Sequence, residues 1–196
     1  DTVITLMPGS RRNELKYHAS VIFHAAKKIS KELYNSSQRT VKFILPTQFP
    51  ELQDLLIKDH QDEFEKYMFI DDAHKAIPAS DLVITKSGTS TLESAIFKKP
   101  TIVVYKMPNL SFYFLKFLNI VKTQYAALPN ILLGREIFPE LIQNEVTSEN
   151  IMIKALELLN HQEGTDQAIN DLKDLHHSLK KNSALKSAEA IEDLVA

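Results

Sequence analysis

The most informative segment of this chain has the sequence Lys86-Ser87-Gly88-Thr89-Ser90-Thr91-Leu92-Glu93. The apolar residues 82–85 precede it and predict a short buried strand, and residues 92–97 follow it with the composition of a helix. A turn of Ser, Gly and Thr between a strand and a helix is typical of an anion site, because the free N–H groups and the dipole of the helix start favour negative charge. We therefore expect an anion to bind at residues 87–90.

The same residues allow a second interpretation, in which they only start a helix. Ser90 and Glu93 have the spacing of a capping box, where the serine side chain bonds the N–H of Glu93 and the carboxylate bonds back to the serine N–H. The two interpretations do not exclude each other, and the sequence leaves both open.

On both sides of this segment, strands alternate with helices. Strands are predicted at residues 2–7, 41–45, 67–70, 82–85 and 101–105, with a long helix from an N-cap at Ser10 to about Leu33 and helices at residues 51–59 and 71–76. Such alternation implies right-handed crossover connections between parallel strands. The predicted fold is therefore α/β, a Rossmann-like doubly wound parallel sheet.

The second part of the chain is less regular. A short sixth strand is predicted at residues 125–128, a polar loop at 129–136, and closing helices at 149–159, 167–179 and 184–195. The apolar and aromatic residues 110–122 fit either a helix at a lipid surface or a buried core helix, and both interpretations stay open.

The chain begins with Asp1, and the first predicted strand follows almost at once. A buried strand without a lead-in is expected of a piece cut from a longer protein. We expect two units: residues 1–160 as the sheet domain, and residues 161–196 as closing helices that pack on that domain, on a missing domain or on a partner chain.

The composition argues against several classes of protein. The 196 residues carry a formal net charge of −2, so no basic surface for nucleic acid is expected. The chain has no cysteine and seven scattered histidines without an HExxH pair, so no metal site is expected. His18 and His24 are expected at the surface or half-buried on the first helix. No signal peptide and no membrane-spanning run is found, so the expected compartment is the cytoplasm.

Polar residues follow two strands of the predicted sheet at their carboxyl ends, where open parallel sheets bind ligands. Ser10 and Arg11 follow the first strand, and Lys86 with residues 87–90 follows the fourth. Two helix starts, two cations and several hydroxyls suit a diphosphate. The chain has neither a GxGxxG fingerprint after its first strand nor a GxxxxGK[ST] motif, which argues against a dinucleotide fold and a P-loop.

Three segments carry a resemblance to a known family: LMPGSRRNEL at residues 6–15, SGTSTLESAIFKKPTIVVYKM at 87–107, and LPNILLGREIFPELIQ at 128–143. With these segments the chain resembles the C-terminal half of lipid-A-disaccharide synthases, which are two-domain glycosyltransferases of the GT-B architecture. The resemblance extends over about residues 3–159, and more loosely over the closing helices.

The resemblance implies a reaction and its partners. The family joins UDP-2,3-diacylglucosamine to 2,3-diacylglucosamine 1-phosphate, a lipid acceptor, and releases UDP. It implies no metal and no cofactor, since the UDP-sugar is a substrate. It also implies a cytoplasmic protein at the surface of the inner membrane, with a homodimer as a possible assembly.

The resemblance also implies site residues. Arg11 and Asn130 are the expected catalytic residues, and an acidic base is expected in the N-terminal half of the family's proteins. The expected substrate-binding residues are Ser10, Arg11, Ile70, Ser87, Gly88, Thr89, Ser90, Glu93, Asn130 and Arg135. Among them, Ile70 is expected beside the uracil, at a strand end, and Glu93 at the ribose.

Two alternatives stay open on the sequence. The first is another UDP-dependent GT-B enzyme, such as a peptidoglycan-type transferase or a UDP-sugar epimerase. The second is a domain that binds a nucleotide or mediates assembly without an activity of its own.

Overall fold

The computed structural model describes residues 1–47, 50, 52–54, 61–108, 112, 124–160, 170–173, 175–176, 188 and 191–193. The predicted helix at residues 51–59, the apolar segment 110–122 and the last two closing helices lie wholly or mostly outside these residues. Within the described part of the chain, no helix combines the length and the apolarity needed to cross a membrane.

Strands and helices alternate through most of the described chain. In order they are β1 (Thr2–Met7), α1 (Arg12–Ser37), β2 (Val41–Pro46), a 3₁₀ helix (Gln61–Lys66), β3 (Tyr67–Ile70), α2 (Ala73–Ala76), β4 (Leu82–Lys86), α3 (Thr89–Ile96), β5 (Thr101–Tyr105), α4 (Leu128–Leu133), β6 (Glu140–Ile142), a 3₁₀ helix (Gln143–Glu145) and α5 (Ser148–Asn160). The five predicted strands are all present, so the α/β prediction is confirmed.

The strands form one parallel sheet in the order β3-β2-β1-β4-β5-β6. Ile4 of β1 lies opposite Phe43 of β2 on one side and Leu82 of β4 on the other. The chain adds β2 and β3 on one side of β1 and then returns to add β4 on the other. The order in which the strands are added therefore reverses between β1 and β4, and at such a point a doubly wound sheet opens a ligand crevice.

Apolar residues cover both faces of the sheet. On one face, α1 and α5 pack together over the strands, with Phe23, Ile29 and Ile151 fully buried. On the other face, a second cluster joins α3, β5 and α4 with Phe138 and Leu172. Burial on both faces explains why the strands are nearly continuous apolar runs.

The structure corrects the prediction for residues 125–136. The sixth strand is not at residues 125–128 but at Glu140–Ile142, beside β5. Residues 129–133 of the predicted loop belong to α4, which has a proline in its first turn and ends before Gly134, a residue in the left-handed conformation (φ 65°). Proline favours the first helical turn and glycine favours the end of a helix, so both residues are consistent with a helix that the apolar run alone did not predict.

Candidate functional site

A cleft of about 660 Å³ opens at the carboxyl ends of β1 and β4, where the sheet changes direction. Its lining residues are Met7, Gly9, Ser10, Arg11, Glu14, Pro46, Thr47, Asp71, Ala73, Lys86, Ser87, Gly88, Thr89, Ser90 and Glu93. Seven of the predicted site residues are among them: Ser10, Arg11, Ser87, Gly88, Thr89, Ser90 and Glu93. The structure therefore places in one cleft the two turns that the sequence analysis expected to form one site.

The first turn, called the Gly9 turn here, comprises residues 8–11 and leads from β1 into α1. Gly9 has φ 138°, which favours glycine, and a Cβ atom there would lie 2.7 Å from the Cβ of Glu14. Ser10 was predicted as the N-cap of α1, but the N-cap is Arg11, which makes no side-chain capping bond. Instead, the Ser10 N–H donates to the Glu14 carboxylate at 3.0 Å.

The second turn, called the Gly88 turn here, comprises residues 87–90 and leads from β4 into α3. The Ser87 hydroxyl donates to the Ala126 carbonyl at 2.7 Å, and the hydroxyls of Ser90 and Thr85 are 2.7 Å apart. These two serine side chains therefore hold the turn in place. The backbone N–H groups of the α3 start are then the groups that the turn presents to a ligand.

The predicted capping box at Ser90 and Glu93 is wrong. The N-cap of α3 is Gly88, which has no side chain to make a capping bond, and the Ser90 hydroxyl lies 2.7 Å from the Thr85 hydroxyl. Glu93 lines the cleft, and its carboxylate makes no hydrogen bond to the residues that the structure describes. The anion-site interpretation is the one that the geometry of this turn still allows.

Gly88 leaves room for a ligand and is not required by the backbone. Its φ of 161° is extended, and a Cβ atom there would meet only the Lys86 Nζ, at 3.8 Å. A side chain at residue 88 would therefore not strain the fold, but it would reduce the space beside the α3 start.

Two cations line the cleft, and they differ in exposure. The Lys86 side chain is 19% exposed and its Nζ lies 3.2 Å from Glu14 Oε1, whereas the Arg11 side chain is 81% exposed with its Nη1 3.7 Å from the same atom. The Lys86 Nζ also lies 5.8 Å from the centre of the Tyr105 ring. Lys86 is therefore the mostly buried cation of the cleft, whereas the Arg11 side chain is exposed to water.

Glu14 is a cleft residue that the sequence reasoning missed. Burial by itself raises the pKa of this carboxyl, but the hydrogen bonds from Lys86 and Ser10 and the charges of Lys86 and Arg11 outweigh burial, so the pKa lies below its usual value. The available signal was an acidic residue three positions after the N-cap, where the side chain can reach back to free N–H groups.

His18 lies one turn after Glu14 and is buried, not at the surface or half-buried as predicted. The Lys106 N–H donates to its Nε2 at 2.9 Å, and its Nδ1 lies 2.7 Å from the Glu14 carbonyl oxygen. Since the first partner only donates and the second only accepts, the proton is on Nδ1 and the ring is neutral. Burial, first of all, lowers the pKa of His18.

Three predicted site residues do not line the cleft. Ile70, at the end of β3, accepts the Thr47 N–H at 2.9 Å, and its neighbour Asp71 lines the cleft in its place. Arg135 is ion-paired with Asp171 of the closing segment. Their predicted contacts with a substrate stay predictions.

Asn130, predicted to be catalytic, is fully buried in the protein interior. Its Nδ2 donates to the Phe138 carbonyl and to the Glu140 carboxylate, and its Oδ1 accepts the N–H groups of Ile137 and Phe138, all at 2.7–3.0 Å. With both amide atoms used in this way, the side chain positions the segment between α4 and β6. A direct contact of Asn130 with a substrate is not supported by this arrangement.

No group of three or more His, Asp or Glu side chains that would suit a metal ion is found in the described part of the chain. The site consists of two helix starts, two cations and the carboxylates of Glu14, Asp71 and Glu93. Such a set of groups can bind a multiply charged anion by electrostatic attraction and backbone hydrogen bonds.

Solved structures share this fold. A putative UDP-N-acetylglucosamine 2-epimerase from Listeria monocytogenes matches with a TM-score of 0.58 and 19% identity, over 86% of this chain and 39% of its own. An O-GlcNAc transferase mutant from Thermobaculum terrenum matches with a TM-score of 0.55 and 13% identity, over 99% of this chain and 35% of its own. The parallel sheet with its cleft is thus a Rossmann-like α/β domain, the fold that this chain shares with these solved structures.

Within that class, the chain belongs to the lipid-A-disaccharide synthetase family, whose family model matches residues 1–194. The lipid-A-disaccharide synthase of Methylobacillus flagellatus is 30% identical over 96% of this chain and 49% of its own length. That of Pseudomonas fluorescens is 31% identical over 98% of this chain and 48% of its own length. The chain spans about half the length of the curated relatives it matches.

Proposed function

We propose that this chain is the part of a lipid-A-disaccharide synthase that binds the nucleotide-sugar donor, UDP-2,3-diacylglucosamine. The observation that carries the proposal is the joining of the Gly9 turn and the Gly88 turn in one cleft, in a chain of this family. Both turns lead into helices, so their N–H groups and dipoles favour the diphosphate of the donor.

In this proposal the reaction proceeds without a metal ion. When the bond between the sugar and the diphosphate breaks, negative charge develops on the leaving UDP. The N–H groups of the α3 start, Lys86 and Arg11 are placed to stabilise that charge, since all of them line the same cleft. Arg11 is the proposed catalytic residue, because its exposed guanidinium is able to move onto the leaving phosphate.

The nucleoside would extend from the diphosphate along the carboxyl ends of the strands. Glu93 lies about one helical turn past the Gly88 turn, roughly 5 Å along the helix axis, which suits the step from phosphate to ribose. The uracil would lie toward Thr47 and Asp71, which line the cleft beside the end of β3. Uncharged bases are suitably bound by backbone groups at such strand ends.

The rest of the reaction is proposed from the family. The acceptor, 2,3-diacylglucosamine 1-phosphate, and an acidic general base would belong to the part of the relatives that this chain does not match. The enzyme would work in the cytoplasm at the surface of the inner membrane, because both of its sugar substrates carry acyl chains. From the family resemblance we also propose that the whole enzyme forms a homodimer.

Calorimetric titration with UDP and with ADP tests the donor site. We expect UDP to bind and ADP to bind at least about tenfold more weakly, since a base pocket should distinguish the two nucleosides. Equal affinity for both nucleotides would contradict a uridine site.

A transfer assay with UDP-2,3-diacylglucosamine and its acceptor tests the division of roles. We expect no disaccharide from this chain alone and product when the remaining part of a family member is supplied. Product from this chain alone would refute the placement of the base elsewhere, and Asp71, Asp72 and Glu136 would then be the carboxylates to mutate.

A further inference from the structure

The Glu14 carboxylate makes three contacts with positively polarised groups of the cleft. Its Oε2 accepts the Ser10 N–H at 3.0 Å, and its Oε1 lies 3.2 Å from the Lys86 Nζ and 3.7 Å from the Arg11 Nη1. The carboxylate thus connects the Gly9 turn with the end of β4. It does so from within the cleft, and its side chain remains 18% exposed.

These partners are the groups that a diphosphate would need. A phosphate at the start of α1 would take the N–H groups of the Gly9 turn, and a phosphate between β1 and β4 would pair with Lys86. The N–H of Ser10 has one proton to donate, so it serves either the carboxylate or a ligand oxygen. The carboxylate therefore holds the place of a ligand phosphate.

Gly9 supports this interpretation independently. A Cβ atom at residue 9 would lie 2.8 Å from Glu14 Oε2, so any other residue would push the carboxylate away from the turn. The turn is thus shaped to receive a carboxylate oxygen at this place, and with it any oxyanion of similar size.

We propose that Glu14 is an internal anion that competes with the donor's diphosphate for Lys86 and the Gly9 turn. This inference rests on the proposed function and adds a determinant of ligand choice to the same cleft. A ligand displaces Glu14 only if it brings more negative charge than one carboxylate. The cleft therefore favours diphosphates over singly charged anions, and Glu14 returns to Lys86 when the product leaves.

The decisive variant is Glu14→Gln, which keeps the shape of the side chain and an oxygen for the Ser10 N–H but removes the charge. In this variant Lys86 no longer has a charged partner inside the cleft, so a ligand anion does not have to displace one. We expect Glu14→Gln to bind UDP about tenfold more tightly than the unmodified chain, measured by calorimetry at constant salt.

The matched control is Glu149→Gln. Glu149 is exposed on α5 and ion-paired with Lys28, so this variant removes the same charge and one ion pair away from the residues that line the cleft. Its UDP affinity should equal that of the unmodified chain. If Glu14 only positions Lys86, Glu14→Gln will instead bind UDP more weakly or equally, and either result overturns the proposal.

A second pair of variants tests the role of Lys86. Lys86→Ala should weaken UDP binding more in the Glu14→Gln background than in the unmodified chain. In the unmodified chain, Lys86 gives up its pairing with Glu14 when it binds the phosphate, so its net contribution to affinity is small. In Glu14→Gln there is no such pairing to give up, so the whole contact with the phosphate contributes. Equal effects in both backgrounds would overturn the competition between Glu14 and the ligand.

Pyrophosphate separates this inference from the proposed function, since it has the charge of a diphosphate but no nucleoside. If pyrophosphate binds more tightly to Glu14→Gln and UDP binds no better than pyrophosphate, the internal anion is supported and the uridine site is refuted. If UDP binds well but the Glu14→Gln substitution does not increase its affinity, the uridine site is supported and the internal anion is refuted. If neither ligand binds to either protein, both proposals fail.

Discussion

Glu93 has two possible roles in the cleft, as a contact of the ligand or as a residue that stabilises the start of α3. Its carboxylate lines the cleft, and the α3 start is capped by Gly88 without a side-chain bond. A residue that stabilises a helix end affects unfolding, whereas a residue that contacts a ligand affects binding. The two roles are therefore separable by measurement.

We expect Glu93→Gln to weaken UDP binding about tenfold, because hydrogen bonds to a charged acceptor contribute ~1.5–3 kcal/mol. The free energy of unfolding should change by less than about 0.5 kcal/mol, as for other substitutions that remove no structural contact. Calorimetry and thermal denaturation measure the two quantities. Glu157→Gln, on the surface of α5, is the control, and a loss of stability with intact UDP affinity would contradict the ribose contact.

His18 makes the stability of the chain depend on pH. Its pKa is below the usual 6.5 because the neutral ring is buried, so between the folded pKa and about 6.5 the unfolded chain binds more protons than the folded one. The contribution of the neutral His18 ring to the free energy of unfolding is therefore fully present above about pH 6.5, and it is lost as the pH falls from there toward the lower pKa of the folded chain.

We expect the melting temperature of the unmodified chain to fall more steeply from pH 7.5 to 5 than that of His18→Gln. The variant should be less stable at pH 7.5, since it loses a ring that bonds both α1 and the residue after β5. His24→Gln, at an exposed position of the same helix, should keep the steeper slope. Parallel slopes for His18→Gln and the unmodified chain would show that His18 does not titrate in this range.

At the scale of the elements, α4 and β6 are joined by a polar network and not only by apolar packing. The Glu140 carboxylate of β6 accepts the N–H groups of Ala126 and Ala127 at the start of α4, at 2.7 and 2.8 Å. Asn130 bonds the same carboxylate and the chain just before β6. The Ala126 carbonyl in turn accepts the Ser87 hydroxyl, so this network also supports the Gly88 turn.

We expect Asn130→Ala to lower the free energy of unfolding by about 3 kcal/mol, because buried groups that lose a hydrogen-bond partner cost ~1–3 kcal/mol each. At temperatures well below melting, UDP affinity should change less than threefold. Denaturant unfolding and calorimetry measure the two effects, with Asn144→Ala at an exposed position as the control. An unchanged stability with a large loss of transfer in the reconstituted enzyme would restore the predicted catalytic role of Asn130.

At the scale of the whole molecule, described residues beyond position 160 pack on the sheet. Leu172 and Leu175 are buried in the cluster with Val103 and Phe138, and Asp171 pairs with Arg135. The predicted boundary after residue 160 stays a prediction, but this part of the closing segment contributes to the core of the sheet domain.

We expect Leu172→Ala to cost about 2–5 kcal/mol of stability, the usual range for removing a buried leucine side chain. For a chain of this size the melting temperature should fall by roughly 5–15 °C. Lys173→Ala, at the exposed neighbouring position, should leave it within about 2 °C. A Leu172→Ala variant that melts like the unmodified chain would show that the closing segment does not stabilise the sheet domain.

Much of the fold was predictable because it is encoded over short distances. The five apolar runs are buried strands, and on α1 the apolar residues spaced three and four positions apart are fully or almost fully buried at Ala19, Ile22, Ala26, Ile29 and Leu33 and half-buried at Leu15. The two turns of the cleft were predictable for the same reason, since glycine and hydroxyl residues follow the strands directly. Residues 125–136 were predicted wrongly because their short apolar run suits a strand, a loop or a helix equally.

The sequence by itself determined the strands, their parallel arrangement and the two turns, because periodicity and turn chemistry depend on residues a few positions apart. Only the tertiary structure decided which polar groups meet: Glu14 with Lys86 over 72 positions, and His18 with Lys106 over 88. It also directed Asn130 into the interior and Glu14 into the cleft. These pairings follow from the strand order, in which β4 lies beside β1 and β5 beside β4, so that the ends of strands distant in sequence meet near the start of α1.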